Sequence, residues 1–358
     1  MGTGVLTRLT VETTRMHAGK ATTMKAVVQD RYGSADVLEF REIDRPSIKD
    51  DGVLVQVHAA SVHADVWHAM RGIPFVLRFM GSGVRRPKHR VPGTDLAGVV
   101  ESVGINVTRF RPGDEVFGQS LLANLWRNGG AFAEYAAVPE AMLQPKPARL
   151  TFEQAAAVPT SGSLAVQHVR DEGRTLPGQK VLINGAGGAV GTFAVQLAKA
   201  YGAHVTAVDA TGKLDMLRSI GADEVLDYTE EDFTRRDERY DFVLDIAGNH
   251  PWSEARRALT PDGTYVLSGF DQYGASGHRW FGSLGRFAKL IVIAPFVRHL
   301  HPFRGVKDPG DRLVLLKELI EAGKITPVID RTFPLSEVPD AIRYLETGQA
   351  RGKLVVTV

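Results

Sequence analysis

Residues 181–191 read Val181-Leu182-Ile183-Asn184-Gly185-Ala186-Gly187-Gly188-Ala189-Val190-Gly191, and this stretch decides the fold. An apolar run of strand length meets a glycine cluster, and a helix-forming run follows. Glycine lets the backbone pass close to a pyrophosphate, and a helix N-terminus offers free N–H groups and a positive dipole end. Strand, glycine turn and helix in that order are what a dinucleotide-binding loop requires. A tight strand–helix turn without ligand is the plainer alternative. The surrounding βαβ pattern favours the dinucleotide, which would lie against Gly185, Gly187, Gly188, Ala189, Val190 and Gly191.

The same rhythm continues on the C-terminal side. Val205–Val208, Glu224–Leu226, Phe242–Leu244 and Thr264–Leu267 read as strands, and 191–200, 214–220 and 252–259 as helices. Buried strands alternating with helices imply an α/β fold with a doubly wound parallel sheet covered on both faces. The texture differs before residue 150. Short apolar runs such as Val53–Val57 and Leu96–Val103 are broken by Gly and Pro, and Arg111-Pro112-Gly113-Asp114 is a turn into Glu115-Val116-Phe117. This part reads as mostly β. After Arg312 come two helical stretches and an apolar final strand, Lys353 to Val358. A lone last strand must pair with something, and the first domain is where it is expected to return.

Composition excludes several classes. Hydrophobic residues at 44% and charged residues at 23% describe a globular chain rather than a disordered one. The chain has no cysteine, so disulfides, thiolate catalysis and Cys-ligated zinc or iron–sulfur sites are excluded. A net charge of +2 does not point to nucleic acid. No apolar stretch has the length of a membrane span. With no cysteine, signal or span, the chain reads as cytoplasmic. The first 23 residues carry Arg8, Arg15 and Lys20 against one acid, Glu12. A transit peptide is one reading of them. The other is an extension, expected to be disordered, before an opening at Met24.

Asp209 ends the second strand of the βαβ unit, 18 residues past Gly191. An acid there accepts from a ribose 2′-OH and selects NAD. Lys213 follows within reach of a 2′-phosphate. The two signals conflict, and neither decides the coenzyme alone.

Four stretches together resemble the medium-chain dehydrogenase/reductase superfamily, in its zinc-free quinone oxidoreductase branch. They are Pro92-Gly93-Thr94-Asp95-Leu96-Ala97-Gly98-Val99-Val100, Arg111 to Val116, Gly185 to Gly191, and Arg351-Gly352-Lys353-Leu354-Val355. The resemblance covers nearly all of Met24 to Val358. It implies a GroES-like, mostly β substrate domain over 24–149, completed by 310–358, and a Rossmann dinucleotide-binding domain over 150–309. The cleft between them would hold the active site, and a homodimer is the implied assembly.

Zinc-dependent members place ligands at positions that fall on Val62, Thr94 and Thr160 here. None is a usual zinc ligand, so no metal is expected. His58, His63 and His68 recur every five residues, which suits neither a helix face nor a strand face. Without a Lewis acid, polarising an alcohol is hard. Reducing a quinone or the activated C=C of an α,β-unsaturated carbonyl needs only hydride and a hydrogen-bond donor.

The resemblance further implies that Lys213 and Tyr228 hold the 2′-phosphate and adenine end, which favours NADPH over NADH. Asp209 departs from that pattern. Thr160 and Ser161 would sit near the nicotinamide or phosphates, and Leu267, Gly269 and Phe270 would line the nicotinamide pocket. His63 stands where zinc-free relatives carry Asn beside the substrate. It is the candidate proton donor, with a polar pocket wall as the alternative. Val62, His63 and Trp67 are the expected substrate-side residues, with Phe75 beside them. Two acid-free basic stretches, Val66 to Thr94 and Gln272 to Lys307, are read as solvated segments around the cleft. Weak peripheral membrane contact is the other reading. Two rival functions fit the same residues. One is an alcohol or aldehyde oxidoreductase without metal, and the other a non-catalytic nucleotide-binding partner protein.

Overall fold

The structure is a computed structural model that describes residues 22–76, 78–120, 127–269, 280, 284–300 and 309–358. The chain opens on the hairpin β1 (Thr23–Gln29) and β2 (Leu38–Asp44), paired antiparallel from Thr23 against Asp44. The extension expected over 1–23 therefore ends sooner than read, because Thr23 already holds a ladder partner. Residues 1–21 lie outside the described residues.

A seven-stranded sheet follows, built from β3 (Gly52–Val62), β4 (Asp95–Val103), β5 (Glu115–Gln119), β6 (Tyr135–Pro139) and β7 (Leu143–Pro145), with two further strands supplied from the C-terminal part of the chain. Helix α1 (Ala64–Arg71) leaves directly from the end of β3. Val53, Val55, Leu96, Val116 and Leu143 fill the interior of this domain. Helices α2 (Phe152–Ala156) and α3 (Pro159–Val166) lead out of it, and Thr151 closes a capping box with Gln154 at the start of α2.

The second sheet is parallel throughout. Its strands are β8 (Lys180–Asn184), β9 (His204–Asp209), β10 (Glu224–Asp227), β11 (Tyr240–Asp245) and β12 (Leu259–Leu267), in the order β10-β9-β8-β11-β12. Between them run α4 (Ala189–Ala200), α5 (Leu214–Ser219) and α6 (Trp252–Ala255), and α7 (Leu284–Ile293) comes after β12. The helix read over 252–259 is shorter than expected. It tightens into a 3₁₀ turn at Arg256–Ala258, and Leu259 already opens β12. Strand order reverses at β8, so a crevice opens at its carboxyl end, where such sheets bind ligands.

The last part of the chain divides. Helix α8 (Pro309–Glu321) packs on α3, with Leu313, Leu316 and Ile320 in the same buried cluster as Val181 and Phe193 of the parallel-sheet domain. Strand β13 (Ile329–Pro334), helix α9 (Val338–Glu346) and strand β14 (Lys353–Thr357) go to the first domain. Strand β14 lies antiparallel against β3, with Leu354 opposite Val62 and Val356 opposite Ala60. One buried cluster runs from Ile183 and Ala194 through α2 and α3 to Ala97 and Phe117, so the two sheets share a core at the junction.

Candidate active site

The glycine loop sits at the reversal of strand order. Gly185 has φ +84°, a left-handed conformation that favours glycine. A β-carbon on Gly191 would lie 2.5 Å from the carbonyl oxygens of both Gly185 and Ala186. Only hydrogen fits where α4 crosses the loop. Gly188 is the N-cap of this twelve-residue helix, so its first N–H groups are the free donors a pyrophosphate would use. These residues fit a dinucleotide.

Asp209 is 6% exposed and already engaged. Its Oδ2 accepts the Gly187 N–H at 2.8 Å and its Oδ1 accepts the Ala210 N–H at 2.9 Å. Lys213 lies 3.4 Å from the same carboxylate and donates to the Gly348 carbonyl at 3.1 Å. Tyr228 begins where β10 leaves β9 and is half exposed. Sequence reading missed Arg351, whose guanidinium reaches 3.9 Å from where a β-carbon on Gly212 would sit. The residue travels with β14, and the Gly352 N–H donates to the Gly187 carbonyl at 2.9 Å. Lys213, Arg351 and Tyr228 therefore surround the turn after β9.

On the opposite side of the crevice lies a buried polar cluster. Asp95, at the start of β4, has no exposed surface. It accepts the Thr160 N–H at 3.0 Å, the Thr160 hydroxyl at 2.5 Å, and the Thr94 and Ser61 hydroxyls at 3.4 Å. Lys353, also without exposed surface, stands 3.8 Å from Asp95 and donates to Ser161 Oγ at 3.3 Å. Burial pulls the Lys353 ammonium down, against the opposing pull of the Asp95 carboxylate. Thr160 and Ser161 are thus held by an ion pair that the sequence reading did not assign to the site. A usable signal was present, since Asp95 and Lys353 are charges at the head of otherwise apolar strand runs, and buried charges come paired.

His63 follows β3 as the N-cap of α1 and is 5% exposed. Its Nε2 shares a 2.8 Å hydrogen bond with Thr94 Oγ1, and its Nδ1 lies 3.4 Å from Asp65. This is the arrangement against which a zinc site must be tested. Val62 is hydrocarbon, Thr94 is tied to His63, and Thr160 donates to Asp95. Among the described residues, no group of three or more His, Cys, Asp or Glu side chains is placed to hold a metal. The donor set does not fit zinc.

Two expected substrate-side residues turn out to be interior. Val62 and Trp67 belong to the apolar core of the first domain at 1% and 5% exposure. The Trp67 indole donates to Glu346 of α9 at 2.7 Å. Phe75 is half buried and meets Trp280 edge-on at 5.7 Å. At the end of β12, Leu267 is level with Asp245 of β11, itself level with Asn184 before the glycine loop. Gly269 follows, half buried. Phe270 lies outside the described residues, as does much of the basic stretch 272–307. No described helix is long and apolar enough to cross a membrane.

Comparison with known proteins bears on the fold and the class of activity. The alcohol dehydrogenase GroES-like domain family matches residues 49–148, and the zinc-binding dehydrogenase family matches 220–356. The chain is 34% identical to the mitochondrial NAD(P)H oxidoreductase RTN4IP1 of Mus musculus, covering 95% of this chain and 91% of that protein. It is 38% identical to the chloroplastic NADPH-dependent alkenal/one oxidoreductase of Arabidopsis thaliana, covering 93% and 79%. The solved quinone oxidoreductase of Coxiella burnetii superposes with a TM-score of 0.79 at 27% identity, covering 94% and 99%. The chain belongs to the medium-chain dehydrogenase/reductase superfamily, among its quinone oxidoreductase-like members. It is an NAD(P)H-dependent oxidoreductase of that type, and its coenzyme is a nicotinamide dinucleotide.

Proposed function

We propose that the protein uses NADPH, without zinc, to reduce the activated C=C bond of an α,β-unsaturated carbonyl. The observation that carries this reading is the set Val62, Thr94 and Thr160 at the three zinc-ligand positions, with both threonine hydroxyls committed to His63 and Asp95. A bound nicotinamide supplies hydride. The chain's part is to hold the coenzyme at the glycine loop, to fix Thr160 and Ser161 beside it, and to provide a proton for the reduced substrate. His63, bonded to Thr94, is the hydrogen-bond donor to the developing enolate oxygen on the first-domain side. Lys213, Arg351 and Tyr228 would take the 2′-phosphate, and Lys213 partly offsets Asp209, which supports NADPH over NADH. The name of the Arabidopsis relative supports the enone. The Coxiella structure favours a quinone as the second reading.

Turnover with NADPH and NADH, in the presence of a chelator, on a simple enone and a simple quinone tests the proposal. Chelator-resistant, NADPH-preferring reduction of the enone is expected. Loss of activity on chelation, or steady oxidation of a simple alcohol, would sink it. A homodimer and a cytoplasmic location belong to the same proposal. Light scattering of the purified protein and cell fractionation decide them, the named relatives above being organellar proteins.

A further inference from the structure

Between the expected nicotinamide residues Leu267 and Gly269 lies Ser268, which no part of the reading so far uses. Its Oγ shares a 2.7 Å hydrogen bond with His168 Nε2, and His168 Nδ1 lies 2.7 Å from Glu172 Oε2. Serine, imidazole and carboxylate stand in line, a geometry recognised by its distances and roles rather than by sequence position. His168 is 5% exposed, and the Glu172 side chain is 11% exposed. Ser268 is half buried.

The arrangement is braced from behind. Gln167 Nε2 donates to the other Glu172 oxygen at 2.9 Å, and the buried Arg312 of α8 donates to Gln167 Oε1 at 2.9 Å. His168 and Glu172 come four residues apart on Gln167–Glu172, a π-helical turn that continues α3. Such turns recur at functional sites. The same helix begins at Thr160 and Ser161, so it joins this trio to the Asp95–Lys353 pair. Register places Ser268 one residue beyond the level of Asn184, at the height of Gly185 and thus at the mouth of the dinucleotide crevice.

Resting on the reductase reading above, we propose that Ser268, His168 and Glu172 form a proton relay into the reduced substrate. Hydride uptake at the β-carbon leaves an enolate that needs one proton. The Ser268 O–H bond breaks as that proton passes to the enolate. The His168 imidazolium gives its Nε2 proton to the serine oxygen, and the imidazole is left neutral. Glu172 accepts the Nδ1–H throughout, which fixes the tautomer. Solvent then reprotonates Nε2. One proton enters and one leaves, and no further oxidant or reductant is needed. Ser268 is the donor, and His168 and Glu172 act through it. Among the described residues, the other charged groups around this turn include Arg170, Asp171, Asp311 and Arg312, and Asp171 bridges the two arginines.

The test compares wild type with Ser268→Ala, Ser268→Thr, His168→Gln and His63→Gln, using NADPH and a simple enone across neutral to alkaline pH. Ser268→Ala and His168→Gln are expected to lower kcat about 100-fold, with KM and NADPH affinity unchanged. Ser268→Thr keeps the hydroxyl and restores most of the rate. Independently of turnover, the nitrogen and proton spectrum of ¹⁵N-histidine-labelled, coenzyme-free protein should show a slowly exchanging Nδ1 proton that disappears in His168→Gln. Unchanged kcat in Ser268→Ala, or a kcat loss confined to His63→Gln, overturns the relay while the reductase reading stands. A missing Nδ1 proton overturns it as well. Wild-type protein that binds NADPH but reduces neither enone nor quinone fails the reductase reading and takes the relay with it.

Discussion

Asp95 is a carboxylate with no exposed surface, and its oxygens are met by two threonines, a serine and a lysine ammonium. Taking both charges out of water is costly, and the pair offsets that cost only while it is complete. Asp95→Asn or Lys353→Met alone should each remove about 3–5 kcal/mol of stability, because each leaves an unpaired buried group. The double variant should recover part of that loss, a coupling that a denaturation cycle reads directly. The pH dependence has a definite sign. Burial lowers the folded-state pKa of Lys353, so between that value and the ordinary lysine value the unfolded chain binds more protons. Stability therefore rises with pH through this window. Lys353→Met should flatten the rise, and urea unfolding from pH 7 to 10 checks it. Neither residue stood out as a site residue in the sequence. Each was visible only as part of a strand motif, because a charge on a strand does not announce its distant partner.

At the scale of elements, the β8–loop–α4 unit was legible because its signals are local. The apolar strand, the glycines and the helix periodicity all lie within twenty residues, and none needs a distant partner to be read. Its weak point is steric. Gly191→Ala would press a β-carbon onto two carbonyl oxygens at 2.5 Å, which forces the loop open. NADPH affinity should fall at least about 10-fold, or roughly 1.4 kcal/mol, with the domain still folded. Calorimetric titration measures this, and an unchanged Kd would mean the loop is not where the phosphates bind. The helix opening at Thr160 was less legible. Its first turn was legible through the family resemblance, whereas nothing local marks His168 and Glu172 on its π-turn. A buried histidine four residues before a glutamate is ordinary until β12 delivers Ser268 against it.

At the scale of the whole molecule, β14 is the strand that ties the domains together. It completes the first sheet beside β3, yet Gly352 donates to Gly187 in the dinucleotide loop, and Arg351 overhangs the turn after β9. Coenzyme preference should therefore depend on a residue near the chain's end. Arg351→Glu is expected to weaken NADPH binding about 10-fold at low salt, where exposed charges are least screened, and to leave NADH within about two-fold. Parallel titrations decide it, and equal losses for both coenzymes would remove Arg351 from the 2′-phosphate site. Fold class, the dinucleotide loop, the superfamily and the missing zinc donors were determined by the sequence itself, since each rests on residue type, short-range period or local spacing. The Asp95–Lys353 pair, the approach of Arg351, the interior placement of Trp67 and the line from Ser268 to Glu172 were decided only by the tertiary structure. They join residues from separate elements, and a buried charge or hydroxyl acquires its partner only when strand register and helix packing bring the two together.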